Sequence, residues 1–395
     1  MKNRNLVILF FTMVVVMISF GIIIPILPFY IESFGGGGLA MGGLMAIFSL
    51  MQFFFSPVWG AFSDRYGRKP ILILGAFGNA LALVVMGLAT DLPTLYLARA
   101  LGGILSSATL PTAMAFISDS TDENQRGGGM GMIGAAMGLG MILGPGIGGL
   151  TAGDSIQTPF FVGAGLSLLA TLLTWLFLPE SLPREQYQPS LKLKGPQLAS
   201  MFQALFGPLG FLLIMAFLNN FAMTNFEGIF GFYAQRRFDY DPSTIGMILT
   251  VVGVSSTVAQ GLLTGPATRR FGDEAVIKAS LIASVGGFLI MLAAYDLVTV
   301  MLTTSIFIFS NSMLRPSVSS LISKRATGGQ GMAMGLNNAY MSLGRIVGPI
   351  WAGAALDMNL NFPFITGAVI MLVSFIASLT YLANRQSQTE PVSAD

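Results

Sequence analysis

A chain of 395 residues with no His and no Cys has few ways to do chemistry. The side chain that ordinarily titrates near neutral pH is missing, so any proton-coupled step must use carboxylates. Disulfides, thiolate metal sites and Cys nucleophiles are excluded together. One carboxylate, Glu227, lies well inside an apolar run, directly after Phe226. A charge at the centre of a bilayer costs roughly 3 kcal/mol or more, so a residue placed there usually faces a cavity and works. Desolvation raises the pKa of a carboxyl from about 4.3 by up to several units, which brings proton exchange near pH 7 within reach. Glu227 therefore reads as a proton-coupling or cation-recognising group, or else as a structural hydrogen-bonding partner or outer gate.

Three arginines also fall inside apolar runs: Arg99, Arg315 and Arg345. By helical rise Arg99 sits roughly 10 Å outside the bilayer centre, about the depth of Glu227, so both can line one outer vestibule. It reads as a proton relay acting through a carboxylate or a water, or as an arginine that satisfies backbone carbonyls beside the Pro-containing first run. Arg315 is on the order of 15 Å from Glu227 along the membrane normal, and no direct ion pair between the two is expected. Arg345 is nearer mid-membrane, where helix stabilisation and attraction of an anion are equally open. A separate charged cluster, Asp64, Arg65, Arg68 and Lys69, follows the second apolar run, and Asp119 ends the fourth.

The elements that must position these residues follow from composition. With 53% hydrophobic residues, 10% charged residues and a mean hydropathy of +0.73, the chain is too apolar for a water-soluble domain. A net charge of +2 gives no reason to expect nucleic acid as a partner. The partner surface is the lipid bilayer. Crossing its ~30 Å core takes about 20 apolar residues as helix, and twelve such runs are present. They extend approximately over Leu6 to Tyr30, Leu39 to Phe62, Pro70 to Ala89, Leu92 to Ile117, Met130 to Leu150, Pro159 to Leu178, Leu209 to Tyr233, Ile245 to Gly265, Val276 to Ala294, Leu297 to Ile322, Met332 to Ala355 and Phe362 to Leu382. The first is longer than a signal-peptide core and has no small-residue cleavage site, so it reads as a retained helix. The expected organisation is a six-helix bundle over 1–178, a Pro-containing polar cytoplasmic linker over 179–208 that holds Arg184, Lys192 and Lys194, and a second six-helix bundle over 209–395 with a short cytoplasmic tail.

Loop charge tests this count, because cytoplasmic loops carry an excess of Lys and Arg. With the N-terminus inside, 15 of the 20 basic residues fall on the cytoplasmic side, only Arg236 and Arg237 fall outside, and three lie within helices. Both termini are therefore expected in the cytoplasm.

The chain also repeats itself at an offset of about 205 residues. Gly60 to Lys69 aligns with Gly265 to Glu274, with several charges reversed in sign. The fifth run's Gly131, Gly140, Gly144, Pro145, Gly148 and Gly149 recur as Gly335, Gly344, Gly348, Pro349, Ala352 and Gly353 in the eleventh. Phe116 to Asp119 aligns with Leu321 to Lys324. Two parallel halves with a binding site at their interface, rocking about it, are what such symmetry implies.

These motifs resemble the twelve-helix drug:proton antiporter branch of the major facilitator superfamily, in particular multidrug and quinolone efflux pumps of Gram-positive bacteria, over nearly the whole chain. Gly60 to Lys69 is similar to the loop 2-3 signature, Arg99 with Gly103 to the helix 4 signature, and Gly131 to Gly149 to the antiporter signature. Ile24 to Pro28 fits the drug-exporter pattern, and Phe226-Glu227 resembles the acidic position of the Gram-positive pumps. Two positions depart from the pattern. Gly102 stands where the helix 4 signature usually has Gln, and Ser312 stands where relatives often carry a second carboxylate before the Arg315-Pro316 pair.

The resemblance implies an all-α major facilitator fold and proton-coupled export of small lipophilic, often cationic, drugs from the cell by alternating access, with protons and drugs as partners. No cofactor or metal is implied, and a monomer is expected. Glu227 and Arg99 are then the proton-coupling candidates. Phe29, Tyr30, Gln52, Phe226, Tyr233, Arg315, Asn337, Asn338 and Tyr340 are the polar or aromatic candidates for a substrate cavity. The charged cluster reads as a cytoplasmic latch in which Asp64 caps a helix of the opposite half while Arg65 or Arg68 pairs with Asp119, or as a plain topology anchor. The Gly144-Pro145 helix reads as a bend that seals a leak path, or as simple close packing. A nucleotide-binding role for its glycines fails because no strand precedes them. A narrower exporter of tetracycline, sugars or lipid-like metabolites is the alternative on the same fold. A membrane receptor or enzyme is remote, for neither a sensor domain nor a catalytic constellation is present.

Overall fold

Apolar side chains on all faces, and a bilayer that offers backbone groups no hydrogen bonds, leave helix as the economical solution for each run. The computed structural model describes residues 2–153, 155–183, 185, 187, 198–326 and 329–386. Arg184, Lys192, Lys194 and most of the expected linker lie outside the described residues. Among the described residues there is no strand.

The first half comprises α1 (Lys2–Ile22) and α2 (Leu27–Ser33), α3 (Gly38–Tyr66), α4 (Arg68–Gly87), α5 (Leu92–Ser106) with α6 (Thr109–Ser120), α7 (Glu123–Thr151) and α8 (Thr158–Phe177). A short α9 (Leu198–Leu205) precedes α10 (Gly210–Glu227) and α11 (Phe230–Phe238). Then come α12 (Pro242–Val258), a π-helical stretch Ala259–Leu263 and α13 (Thr264–Phe271), followed by α14 (Asp273–Met291), α15 (Leu297–Ser312) with α16 (Leu314–Lys324), α17 (Gln330–Met358) and α18 (Phe362–Gln386). All twelve expected runs fall on helix. Among the described residues ten helical spans are long and apolar enough to cross a membrane, and the stretch Gly210–Phe238, joined to α9 by a 110° bend, raises the number to 11. The 29-residue α17 is long enough but more polar, because Asn337, Asn338 and Arg345 interrupt it.

The chain separates into two compact units, residues 1–197 with 231–254, and residues 198–230 with 255–395. In the first, α1 packs on α7 and α8, and α4 on α5 and α8; in the second, α10 packs on α17 and α18, and α14 on α15 and α18. The same pairings at the same offset make the sequence repeat a structural one. Details repeat as well. Gly67 and Gly272 both turn the chain at positive φ, +97° and +81°, which glycine adopts without steric cost. Asp91 and Asp296 each cap a helix by accepting a 2.8 Å bond from the backbone N–H three residues on, at Thr94 and Thr299. The α5/α6 break at Ser107 and Ala108 has its counterpart in the α15/α16 break at Met313.

Glycines set the closest approaches. A Cβ on Gly144 would lie 2.6 Å from the Cα of Gly21, and one on Gly344 would lie 2.6 Å from the carbonyl oxygen of Phe217. Gly131 faces open space. Gly144→Ala should therefore lower the thermal unfolding midpoint in detergent, by roughly 1–3 kcal/mol of overpacking, whereas Gly131→Ala should leave it unchanged or raise it by up to ~1 kcal/mol. Equal effects at the two positions would contradict this packing.

Hydrogen bonds from the Thr94 and Thr299 side chains, then from their backbones, hold the Asp91 and Asp296 carboxyls below the usual carboxylate range. A pKa lowered by folding gives stability that is complete above the unfolded value of about 3.9 and is lost as pH falls through the folded value. The Asp91→Asn, Asp296→Asn double variant should accordingly lose thermal stability less steeply than the parent between about pH 5 and pH 2, as followed by scanning fluorimetry at each pH.

Candidate functional site

Charged side chains inside spans are the natural starting point, because each must be matched or hydrated. In the second unit the charged residues more than two turns from either end of a span are, among the described residues, Glu227 on α10, Arg315 on α16 and Arg345 on α17. All three side chains are exposed. The Glu227 carboxylate is attracted most by Arg345 and less by Arg315, and no ion pair within 4 Å joins them.

The helix packing explains the order. Gly344 and Gly348 of α17 lie against Phe217 to Thr224 of α10, which places Arg345 beside Phe221, about six residues or ~9 Å of helical rise from Glu227. Arg315 lies one turn beyond Asn311, whose amide donates to Asn219 Oδ1 at 3.4 Å, and so is farther from Glu227. Asn338, two turns from Arg345 on the same face of α17, is exposed.

Other cavity candidates have structural work. Asn337 is buried and donates to Ser319 Oγ at 3.0 Å. The Tyr340 hydroxyl donates to the Met201 carbonyl at 2.8 Å, fastening α17 to α9. Phe226 is buried against Phe230 and Phe307, with ring centroids 4.9 and 5.4 Å away.

In the first unit Arg99 of α5 is 9% exposed. Its guanidinium lies 4.6 Å from the centre of the Phe48 ring, and its Nε has no hydrogen-bond partner. It borders a small cavity lined by Ser19, Phe48, Asn79 and Gly102 among others. A Cβ on Gly102 would lie 3.2 Å from the Ala82 Cβ and 3.6 Å from the Phe48 ring, so a side chain here would press on both neighbours. Next to it, Asn79 Nδ2 donates to Ser167 Oγ at 2.7 Å and Ser167 Oγ donates to Ser19 Oγ at 2.9 Å, tying α4, α8 and α1 together. Tyr30 is buried, with its hydroxyl bonded to the Met86 and Ala89 carbonyls at 2.9 and 3.0 Å. Tyr233 is buried and accepts from Arg237 at 2.7 Å. Phe29 and Gln52 are half-buried.

The fifth-run glycines divide by face. Gly140, Gly144 and Gly148 lie against α1, Gly149 against α12, and Gly131 faces open space. Pro145 sits inside the continuous α7. At the end of α2, Glu32 accepts from Gln235 and pairs with Arg236 at 3.7 Å.

The charged cluster between α3 and α4 is organised by Arg68, whose side chain is 8% exposed. Its Nε donates to Asp119 Oδ2 at 2.9 Å, and its Nη1 donates to Ser63 Oγ at 2.8 Å and to Asp64. Arg65 instead lies 5.3 Å from the Tyr66 ring. Lys69 and Gly60 are half-buried beside them. Glu180, which no sequence signal singled out, accepts from the Arg68 and Lys69 backbone N–H groups at 2.8 and 3.1 Å and so caps α4. At the repeat positions the polarity is reversed: Lys324 Nζ meets Asp273 Oδ2 at 2.5 Å, and Arg325 pairs with Glu274. The 205-residue offset applied to Arg68 and Asp119 was enough to find these partners.

Two repeated sets of membrane-length helices, with charged residues held inside their spans, define a multi-pass membrane transport protein. The chain belongs to the Major Facilitator Superfamily, whose pattern matches residues 9–241 and 212–394. It is 31% identical to Multidrug resistance protein 2 of Bacillus subtilis (strain 168), covering 93% of this chain and 92% of that one. It is 27% identical to Quinolone resistance protein NorA of Staphylococcus aureus (strain COL), covering 94% and 96%. Its fold is shared with the human organic anion transporter MFSD10, with a TM-score of 0.71, 24% identity, and coverage of 95% and 99%. The nucleoside transporter NupG gives a TM-score of 0.74 and 18% identity, with coverage of 96% and 98%.

The Arg68–Asp119 ion pair is charge-assisted, with side chains only 8% and 21% exposed, a setting in which such a bond contributes about 1.5–3 kcal/mol. In a double-mutant cycle of Arg68→Ala and Asp119→Ala read by thermal unfolding, a coupling of about that size is expected; simple additivity would show the pair to be energetically idle.

Proposed function

We propose that this protein is a proton-coupled antiporter that exports small lipophilic, often cationic, compounds across the cell membrane by alternating access, with multidrug resistance as the physiological result. The observation that carries the reading is Glu227, an exposed carboxylate within a membrane span of a chain without His. Relatives of matching length named for multidrug and quinolone resistance support the substrate class.

In this reading the six-helix halves 1–178 and 209–395 rock about a central site, the 179–208 segment is a cytoplasmic linker, both termini are cytoplasmic and the protein acts as a monomer. Glu227 alternately holds a proton and the cationic group of a substrate. Arg99, a buried cation beside a small, mainly apolar cavity that Ser19 and Asn79 also line, assists the proton. Asp64, Arg68 and Asp119 belong to a cytoplasmic latch, and the Gly144-Pro145 helix seals against leak. One proton falling through 100 mV yields about 2.3 kcal/mol, a gradient of roughly 50-fold.

The test is drug-driven proton movement in proteoliposomes. Glu227→Gln should lower proton-coupled ethidium export at least about tenfold, weaken ethidium binding and remove its pH dependence, the pattern of a group that trades a proton for the substrate cation. Undiminished coupling would remove Glu227 from the mechanism.

A further inference from the structure

The charges of the second unit do not suit a simple cation. Within its spans, more than two turns from their ends, the charges among the described residues are two guanidiniums and one carboxylate, each guanidinium attracting the carboxylate, so the sum is positive even with Glu227 ionised. The position that could have supplied another carboxylate, Ser312, is a neutral side chain bonded to Ser256 Oγ at 3.0 Å. A monocation entering here gains Glu227 and is repelled by Arg345 and Arg315. A simple anion gains the arginines and is repelled by Glu227.

One class of compound satisfies both ends: an amphiphile carrying a cationic group at one end and a carboxylate at the other. The ~9 Å of helical rise between Glu227 and the level of Arg345 matches the length of a small drug-like molecule. Asn220 and Met223 lie on the Glu227 face of α10, and Asn338 lies on the Arg345 face of α17, so each end is flanked by polar or deformable side chains. A guanidinium binds a carboxylate through two parallel N–H donors, which a methyl ester cannot replace.

We propose that the protein prefers zwitterionic amphiphiles, with the substrate cation at Glu227, its carboxylate at Arg345, and Arg315 behind Arg345 adding attraction. This rests on the antiporter reading and sharpens its substrate class. It also sets the charge balance. One proton inward against one zwitterion outward moves a net positive charge inward, so the membrane potential drives that exchange. One proton against one monocation is electroneutral.

Rhodamine 110 and rhodamine 123 test this directly, since they share a cationic xanthylium dye and differ only in a free carboxylate against its methyl ester. With the purified full-length protein, rhodamine 110 should bind at least about tenfold more tightly. In proteoliposomes with an imposed pH gradient, an added potassium-diffusion potential should accelerate export of rhodamine 110 and leave that of rhodamine 123 unchanged. Arg345→Gln should erase the difference in binding by weakening rhodamine 110 and tightening rhodamine 123 as its repulsion is lost, and the gain for rhodamine 123 also reports that the variant is folded; Arg345→Lys should restore part of the difference. Ser312→Asp, which adds a carboxylate, should shift preference toward rhodamine 123. Equal or weaker binding of rhodamine 110 by the parent protein, with rhodamine 123 still exported by the proton gradient, would overturn the zwitterion preference and leave antiport standing. Failure of the gradient to drive either dye would overturn both.

Discussion

In hydrocarbon no water is available to a bare N–H or C=O, and this one constraint organises the whole molecule. It makes every span helical and removes much of the hydrophobic drive that would pull helices together in water. Cohesion must come from close van der Waals approach and from polar contacts between helices. Both are visible. The Gly21–Gly144 and Gly344–Phe217 approaches bring backbones to distances at which a Cβ would clash. The Asn79–Ser167–Ser19 chain joins three helices through hydroxyl and amide groups.

Charge is placed according to the same constraint. At the helix ends, where water and headgroups are near, charges are paired and repeated: Arg68 with Asp119 in one half and Asp273 with Lys324 in the other. The reversal of sign keeps the bridge and shows that the attraction, rather than the identity of either residue, is what the turn after Gly67 or Gly272 requires. In the span interiors of the second unit the arrangement differs. Glu227, Arg315 and Arg345 feel one another without forming a bridge. A closed ion pair would be inert, whereas an open arrangement of charges can trade partners with a proton or a substrate, as the proposed antiport requires.

The apolar runs, the loop charge, the 205-residue repeat and the singular carboxylate were all legible in the residues, because run length and periodicity respond to lipid thickness and helix pitch directly. Glu227 could be found by elimination, since few ionisable residues sit in apolar surroundings. Side-chain roles were less legible. Tyr30, Tyr233 and Tyr340 have the composition of cavity residues, yet each hydroxyl is used as a fastening or a partner within its own unit. An aromatic residue with a polar tip fits either use, and only its neighbours across other helices decide which.

The sequence by itself determined that this is a membrane protein of two repeated halves and which carboxylate lies within a span. These properties are set along one chain by hydropathy, charge and period. The tertiary structure decided what depends on lateral neighbours: that Asp64 meets Arg68, that Glu180 caps α4, that the glycines of α7 divide between two partner helices, and that Arg345 rather than Arg315 acts most strongly on Glu227. Helix rotation and side-by-side order fix those contacts, and neither is encoded in the apolarity of a run that is greasy on every face.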